Sequence, residues 1–370
     1  MSKMGSNKSI LVTGAAGFIG ANFIHYWLDT YSKDKIVGLD ALTYAGNLVS
    51  LQPIESNPNF SFVQGDIRDQ DLIESLLQEH QIDTIVHFAA ESHVDRSISG
   101  PDAFIDTNIV GTHSMLKAAR NYWMLGDQVM PHRFHHVSTD EVYGSLTLTD
   151  PAFTETTPYQ PSSPYSASKA ASDHLVNAYN HTYGLQTTIS NCSNNYGPYQ
   201  FPEKLIPLVL INILHGKDLP IYGDGSQIRD WLYVDDHARG IDLILQKGVV
   251  SETYNIGGNN EWKNIDIVTH ICDRMNTLAE NDAAIRANFP KMPADAKTLI
   301  TFVKDRPGHD QRYAIDATKS FSVLGYEPVE SFETGIQKTI SWYLSNQQWW
   351  QAVMDGSYRE WVSSQYQATK

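Results

Sequence analysis

The chain has 370 residues, 41% of them apolar and 19% charged, with 8 Trp, 19 Tyr and 13 Phe, which excludes a disordered chain and allows two domains. With 27 basic against 42 acidic residues the formal charge is −15, which argues against nucleic-acid binding through a broad basic surface. A local Arg or Lys pocket for one small phosphate ligand stays open.

In chain order, Ser9–Thr13 is a short β-branched run, followed by a Gly-rich turn and a helical pattern from Phe18 to Trp27. Lys35–Asp40, Phe60–Gln64 and Thr84–Phe88 read as strands, with helical spacing of Leu72, Ile73, Leu76 and Leu77 inside Asp69–His80. Pro101–Arg120 predicts a helix, Phe134–Ser138 a fifth strand, Pro164–Tyr183 a helix and Leu185–Asn191 a sixth strand. Strands alternating with helices predict βαβ units and a parallel sheet covered on both faces. Beyond residue 196 the alternation breaks down. Leu205–Leu214 reads as a helix, 216–235 as turn-rich, Asp236–Gly248 as a helix and Thr253–Ile256 as a strand. Residues 281–312 are weakly periodic, and Thr334–Leu344 reads as a helix. The longest near-continuous apolar run, Leu205 to Leu214, is too short to cross a bilayer. The first residues run straight into a strand pattern without an apolar signal core. Two cysteines, Cys192 and Cys272, make neither a disulfide framework nor a zinc quartet and fit a reducing compartment. The expectation is a soluble cytoplasmic protein with no membrane or nucleic-acid partner.

Gly14-Ala-Ala-Gly17-Phe-Ile-Gly20 follows the first strand and opens the first helix. Such glycines permit a tight turn and close approach of backbone N–H groups to a pyrophosphate. Asp40 ends the second strand, where a carboxylate accepts a ribose 2′-hydroxyl and would repel the 2′-phosphate of NADP. A glycine turn alone is ordinary; strand, glycines, helix and acid in that order point to NAD. Asp66-Ile67 could bracket an adenine, and the small residues of Phe88-Ala-Ala-Glu-Ser92 would let a ligand lie against the sheet edge.

Tyr165-Ser-Ala-Ser-Lys169 is YxxxK, which puts both side chains on one helix face. A lysine ammonium beside the phenol would lower its pKa and ready it to take a proton from a substrate hydroxyl. These motifs resemble the extended short-chain dehydrogenase/reductase superfamily over nearly the whole chain. The resemblance implies an α/β fold: a Rossmann-type doubly wound parallel sheet with a smaller mixed α/β C-terminal substrate domain. It divides the chain into an NAD-binding domain at 1–196 with a return segment near 236–260. A nucleotide-sugar domain takes 197–235 and 261–350, and a tail takes 351–370.

Ser138-Thr139-Asp140-Glu141-Val-Tyr-Gly144 narrows the choice. A bare acidic pair is ordinarily a solvated turn, but two carboxylates beside a redox tyrosine suit an added elimination, one as acid and one as base. This segment closely resembles the dTDP-glucose 4,6-dehydratases, as do LDALTYAGN, FAAESHVDRSI, PSSPYSASKAASD, NNYGPYQFPEKLIP, GDGSQIRDWLYVDDH and DRPGHDQRYAID. The resemblance implies a lyase that turns dTDP-glucose into the 4-keto-6-deoxy sugar nucleotide with retained NAD, acting as a homodimer. It implies Asp140 as acid, Glu141 as base, Tyr165 as base of the oxidation step, Thr139 on the sugar near C4 and Lys169 assisting Tyr165. Cofactor contacts are implied at Gly14, Gly17, Phe18, Ile19, Gly20, Asp40, Leu42, Thr43, Asp66, Ile67, Phe88, Ala89, Ala90, Ser92, Thr107, Tyr165, Lys169 and Asn195. Substrate contacts are implied at Ser92, Thr139, Asn194, Lys204, Leu205, Pro220, Tyr222, Arg229, Asn264, Arg306 and His309. Arg229 and Arg306, in Gly- and Pro-rich surroundings, are the implied diphosphate cations.

The rival readings are a nucleotide-sugar 4-epimerase of the UDP-glucose/galactose type, which needs no acid/base pair for elimination, and a 4,6-dehydratase of another nucleotide sugar. Two departures from the family pattern stand out: a short Ser145–Gln160 segment before the YxxxK helix, expected to alter the mouth of the site, and Ala-Leu at 41–42. No metal is expected, since alternation sends His135 and His136 to opposite faces beside His132. Trp349, Trp350 and Trp361 are expected to pack against the body. Ala167, Ala170 and Ala171 are small enough for close packing of the YxxxK helix in a dimer.

Overall fold

The computed structural model describes residues 7–126, 128–305 and 309–354. The elements of the first half are β1 (Ser9–Thr13), α1 (Phe18–Thr30), β2 (Lys35–Asp40), β3 (Phe60–Gln64), α2 (Gln70–Glu79), β4 (Thr84–His87), α3 (Val94–Ser99), α4 (Asp102–Phe104), α5 (Thr112–Met124), β5 (Arg133–Thr139), α6 (Pro164–Tyr183) and β6 (Thr187–Cys192). There follow β7 (Asn194–Tyr196), α7 (Leu205–His215), β8 (Leu219–Tyr222), β9 (Ile228–Tyr233), α8 (Val234–Lys247), β10 (Thr253–Ile256), β11 (Glu261–Lys263), α9 (Asn264–Asn281), α10 (Ala283–Asn288), β12 (Ile300–Val303), α11 (Phe332–Ser345) and α12 (Gln347–Val353).

Seven strands form one sheet in the order β10-β6-β5-β4-β1-β2-β3, every pair parallel. Strand alternation sends Ile10 and Val12 of β1 to one face, into a core with Trp27 of α1 and Ile241 of α8. Leu11 goes to the other, into a core with Ile73 of α2, Met115 of α5 and Val176 of α6. Both faces are therefore covered, which is the doubly wound arrangement. The strand order reverses between β1 and β4. Ligands of such sheets bind outside the carboxyl ends of the strands at that point.

A second body is built on a separate core. The three-stranded set β11-β9-β7 and the two-stranded set β12-β8 pack with α7, α9, α11 and α12 around Val209, Ile271, Met275, Ile336 and Trp350. The chain returns from it through α8 to add β10 to the large sheet.

The strands predicted at 9–13, 35–40, 60–64 and 253–256 and the helix at 164–183 form with those ends. The helix predicted over 101–120 is broken. A π turn at Ile105–Gly111 separates α4 from α5. There the Asn108 carbonyl accepts the Ser172 hydroxyl at 2.6 Å, and its side-chain amide donates to Ser168 Oγ at 2.8 Å. Side chains of α6 thus take a place that the regular helical ladder would have used. The turn-rich 216–235 holds β8 and β9, whose partners β12, β7 and β11 are distant in sequence. Residues 281–312 hold α10 and β12, and α9 is absent from the predicted elements.

Trp349 and Trp350 are buried, with Trp349 Nε1 donating to Ser50 Oγ at 3.1 Å and Trp350 Nε1 to the Tyr343 carbonyl at 2.9 Å. Trp361 lies outside the described residues. His135 bonds Thr188 and Ser190, while His136 faces α6, as alternation requires. Ala170 is buried against Val142 and Tyr143 within its own chain, so it is not available to a second copy; Ala167 is exposed.

Candidate active site

The first turn is shaped by three glycines. Gly14 follows β1 with φ +69°, and a Cβ there would lie 2.8 Å from Ala89 N, two residues past the end of β4. A Cβ on Gly20 would collide with the Gly14 carbonyl. Gly17 caps α1 with no side-chain bond, so first-turn N–H groups remain for an anion. Asp40 closes the neighbouring turn: Oδ2 accepts Ala16 N at 2.9 Å and Oδ1 accepts Leu42 N at 2.8 Å. Burial raises its pKa, and these backbone bonds pull it back down. Each oxygen keeps a second lone pair for a ligand hydroxyl.

These residues open one continuous cleft along the carboxyl edge of the sheet. Gly14, Gly17, Phe18, Ile19, Gly20, Asp40, Thr43, Asp66, Ile67, Phe88, Ala89, Ala90, Ser92, Thr107, Asn195, Tyr165 and Lys169 all wall it. So do Thr139, Asp140, Glu141, Asn194 and Lys204. Leu42 does not. Its backbone sits at φ +53°, its N–H is held by Asp40, and its side chain packs on the core beneath. Tyr44, Arg68, Glu91, Gln200 and Glu203 also wall the cleft and were not among the expected residues. Arg68 clasps Asp66 with both Nε and Nη2, which holds the Asp66 carboxyl below its ordinary pKa. Tyr44 and Glu203 lie inside the motifs LDALTYAGN and FPEKLIP, so the signal was present. What it lacked was the knowledge that Arg96 stacks on Tyr44 at 3.8 Å and pairs with Glu203 at 3.5 Å.

At the far end of the cleft β5 runs into the 3₁₀ turn Asp140–Tyr143, with Thr139 as its cap accepting Glu141 N at 3.3 Å. Asp140 is 1% exposed. Burial, then the neighbouring Glu141 and Asp230, raise its carboxyl well above the ordinary range, against a smaller pull from Arg229. Its Oδ2 and the Asn194 Oδ1 are buried and accept no hydrogen bond among the described residues. With the Cβ-free cradle at Gly14, this fits a dinucleotide and a polar substrate lying end to end.

Helix α6 carries Tyr165 and Lys169. Ser163 and Ser166 exchange bonds in a capping box, Pro164 opens the helix and Gly184 closes it in the left-handed conformation. The expected lowering of the phenol by Lys169 is not what this geometry gives. Lys169 Nζ is turned to the Val137 carbonyl at 2.8 Å. Burial and Glu141 push the Tyr165 phenol well above its ordinary value, opposed by a hydrogen bond with Thr139. Burial likewise lowers Lys169, and Asp173 raises it.

The remaining expected substrate residues are not among the described residues that wall this cleft. They form a second group in the smaller body. Tyr222 donates to Asp95 Oδ2 at 3.4 Å, and His309 Nδ1 lies 2.6 Å from Asp305 Oδ1. Leu205 and Asn264 open α7 and α9, and Pro220 lies in β8. Arg229 belongs to β9 and not to a loop, because that segment pairs with β7 and β11. It is 5% exposed, donates to the Asp310 carbonyl at 3.0 Å and stacks 4.2 Å from the Tyr313 ring centre. Arg306 lies outside the described residues. The short Ser145–Gln160 segment bridges to Arg312 and Ile315 through Leu146 and Phe153, which ties this rim to the second group.

Residues 11–339 match the GDP-mannose 4,6 dehydratase family model. A dTDP-glucose 4,6-dehydratase from Neisseria meningitidis serogroup B is 55% identical, over 95% of this chain and 98% of its own. The chain belongs to the dTDP-glucose 4,6-dehydratase family. An Escherichia coli member of this dTDP-glucose 4,6-dehydratase family is 56% identical over 94% of this chain and 97% of its own. The solved dTDP-glucose 4,6-dehydratase of Streptomyces venezuelae, with NAD bound, is similar at a TM-score of 0.84 and 44% identity, over 93% of this chain and 99% of that one. A UDP-glucose 4-epimerase from Thermotoga maritima shares the architecture at a TM-score of 0.76 but only 26% identity, over 92% of this chain and 99% of that one.

Proposed function

We propose that the chain converts dTDP-glucose to dTDP-4-keto-6-deoxyglucose and water, as an NAD-dependent hydro-lyase. The observation that carries this reading is Asp140, a carboxyl that burial raises well above the ordinary carboxyl range beside the half-buried Glu141 at the end of β5. A simple oxidation or an epimerisation has no use for a neutral carboxylic acid paired with a second carboxylate. An elimination needs both.

Bound NAD supplies a hydride acceptor and afterwards a hydride donor. Gly14, Gly17, Gly20, Asp40 and Ala89 would hold it. Thr139 hydrogen-bonds the sugar near C4 and favours the Tyr165 phenolate; the positive charge that bound NAD would bring against the phenol offsets the burial that raises it, and as phenolate Tyr165 takes the C4 hydroxyl proton. The ketone at C4 makes the C5 proton acidic. Glu141 removes that proton, and Asp140 gives its own to the C6 hydroxyl, which leaves as water; when C6 regains the hydride taken from C4, Glu141 returns the proton to C5. Asn194 contacts the sugar, Arg229 the nucleotide diphosphate, and Lys204, Tyr222 and His309 the substrate beside it. The chain divides as 1–196 with a return near 236–260 for the cofactor, and 197–235 with 261–350 for the substrate. A homodimer and a cytoplasmic location are part of this proposal. The exposed Ala167 on α6 and two unpaired buried cysteines agree with them. No helix among the described residues is long and apolar enough to cross a membrane.

The test is mass spectrometry of dTDP-glucose incubated with purified protein and no added NAD, with UDP-glucose in parallel. Loss of one water from dTDP-glucose alone supports the reading. An unchanged mass with a 4-epimer visible by NMR overturns it.

A further inference from the structure

Behind Tyr165 lies a buried polar cluster that the steps above do not use. Asp173 follows Tyr165 and Lys169 at i+8 and i+4 on one face of α6, and it is 0% exposed. Its Oδ2 accepts the Ser138 hydroxyl at 2.8 Å and the Tyr159 hydroxyl at 2.9 Å. Its Oδ1 lies 3.3 Å from His136 Nε2. The same imidazole nitrogen lies 3.4 Å from Lys169 Nζ. Lys169 Nζ and Asp173 Oδ1 therefore approach the same imidazole nitrogen, the ammonium within hydrogen-bond reach of it and the carboxylate oxygen with no hydrogen bond of its own among the described residues. A buried ammonium with no anion near it gives up its proton.

The other titratable groups facing this pair bring no second anion. His87 on β4 and His136 are held neutral by burial, each well below the usual histidine range. Cys192 on β6 is pushed up to about 12, and Tyr159 and Tyr143 are raised by burial. On the substrate side burial and Glu141 raise Asp140 well above the ordinary carboxyl range. His174, next on α6, is exposed. Asp173 itself is raised by burial to about 6, against the pull of Lys169.

We propose that Asp173 is a positioning residue for the Tyr165–Lys169 pair: set against the His136 nitrogen that also meets Lys169 Nζ, it is the buried counter-charge that keeps Lys169 an ammonium. This rests on the reading that Tyr165 and Lys169 serve the C4 oxidation. It gives a use to the third member of a YxxxKxxxD face. Asp173 touches neither the cofactor cradle nor the catalytic carboxylates; it acts through the lysine.

The test compares full-length wild type with Asp173→Asn, which keeps the shape and removes the charge. At neutral pH kcat is expected to fall about 10- to 100-fold, with KM for dTDP-glucose within about two-fold. The basic limb of the kcat profile is expected to move about one unit or more toward acid, so that lowering the pH restores activity. Selective ¹³Cε-lysine labelling follows Lys169 directly, its resonance identified by loss in Lys169→Arg. It is expected to titrate at lower pH in Asp173→Asn. A wild-type Lys169 titration, or a loss of rate uniform in pH, overturns the proposal. Where Asp173→Asn fails to fold, Tyr159→Phe removes a hydrogen bond that favours the Asp173 carboxylate and is expected to shift both readouts the same way by less. A wild-type chain that leaves dTDP-glucose unchanged defeats the functional reading, while the lysine titration still decides the role of Asp173.

Discussion

Asp140 shows how a reactive residue is set against the stability of its own fold. Burial and Glu141 raise the carboxyl well above its ordinary range in the folded state, and the unfolded chain returns it to that range. Its folded pKa is raised, so it costs stability at pH values above the ordinary carboxyl range and nothing below it. Asp140→Asn is therefore expected to raise Tm at pH 7, and the gain is expected to vanish as the pH falls toward 4; calorimetry across that range checks it. The same variant is expected to lose about 10²-fold or more in dehydration, read by product mass, because the leaving hydroxyl no longer receives a proton. Tyr165→Phe is expected to abolish the transient absorbance of reduced nicotinamide, whereas Asp140→Asn keeps it. Both residues were legible from the motifs STDEVYG and YxxxK. The direction of the Tyr165 shift was not, because it depends on where the Lys169 ammonium points, and a neighbouring strand carbonyl decides that.

Elements bring these residues into register, and the cost of disturbing one depends on what its backbone meets. Gly14→Ala is expected to cost about 1–3 kcal/mol in urea unfolding and to strip NAD from the purified protein. It must place a Cβ at positive φ and 2.8 Å from Ala89 N. Gly100→Ala, whose Cβ would meet nothing nearer than 3.8 Å, is the control and is expected to change neither. On α6, Ser163→Ala removes half of a capping box and is expected to cost about 1 kcal/mol, seen as a lower Tm. The ends of α6 could be read because Ser, Pro and Gly act locally. The π turn at Ile105–Gly111 could not, since it answers to Ser168 and Ser172, some sixty residues away. The α9 stripe of Ile267, Val268, Ile271, Cys272 and Met275 has helical spacing and was open to reading. In β8 and β9 the turn-forming residues outweighed the strand signal.

Across the whole molecule, the reversal of strand order between β1 and β4 and the return of the chain through α8 and β10 put the cofactor cradle and the acid/base pair in one cleft. The two bodies are tied together by α12, where Trp349 packs in the smaller core and bonds Ser50 in the 3₁₀ helix after β2. Trp349→Ala is expected to cost about 3–5 kcal/mol and to lower the midpoint of urea unfolding. It leaves every group in the cleft in place, so kcat of the folded fraction is expected to hold. The sequence by itself determined the parallel sheet, the glycine cradle, the acid at the end of β2, the paired carboxylates and the family. Those features are short-range: a spacing of a few residues carries each of them. Only the tertiary structure decided that the Asp140 carboxyl is raised, that Lys169 turns to β5 and that Asp173 stands behind it. Burial and charge at a point are sums over segments distant in the chain, and no local pattern contains them.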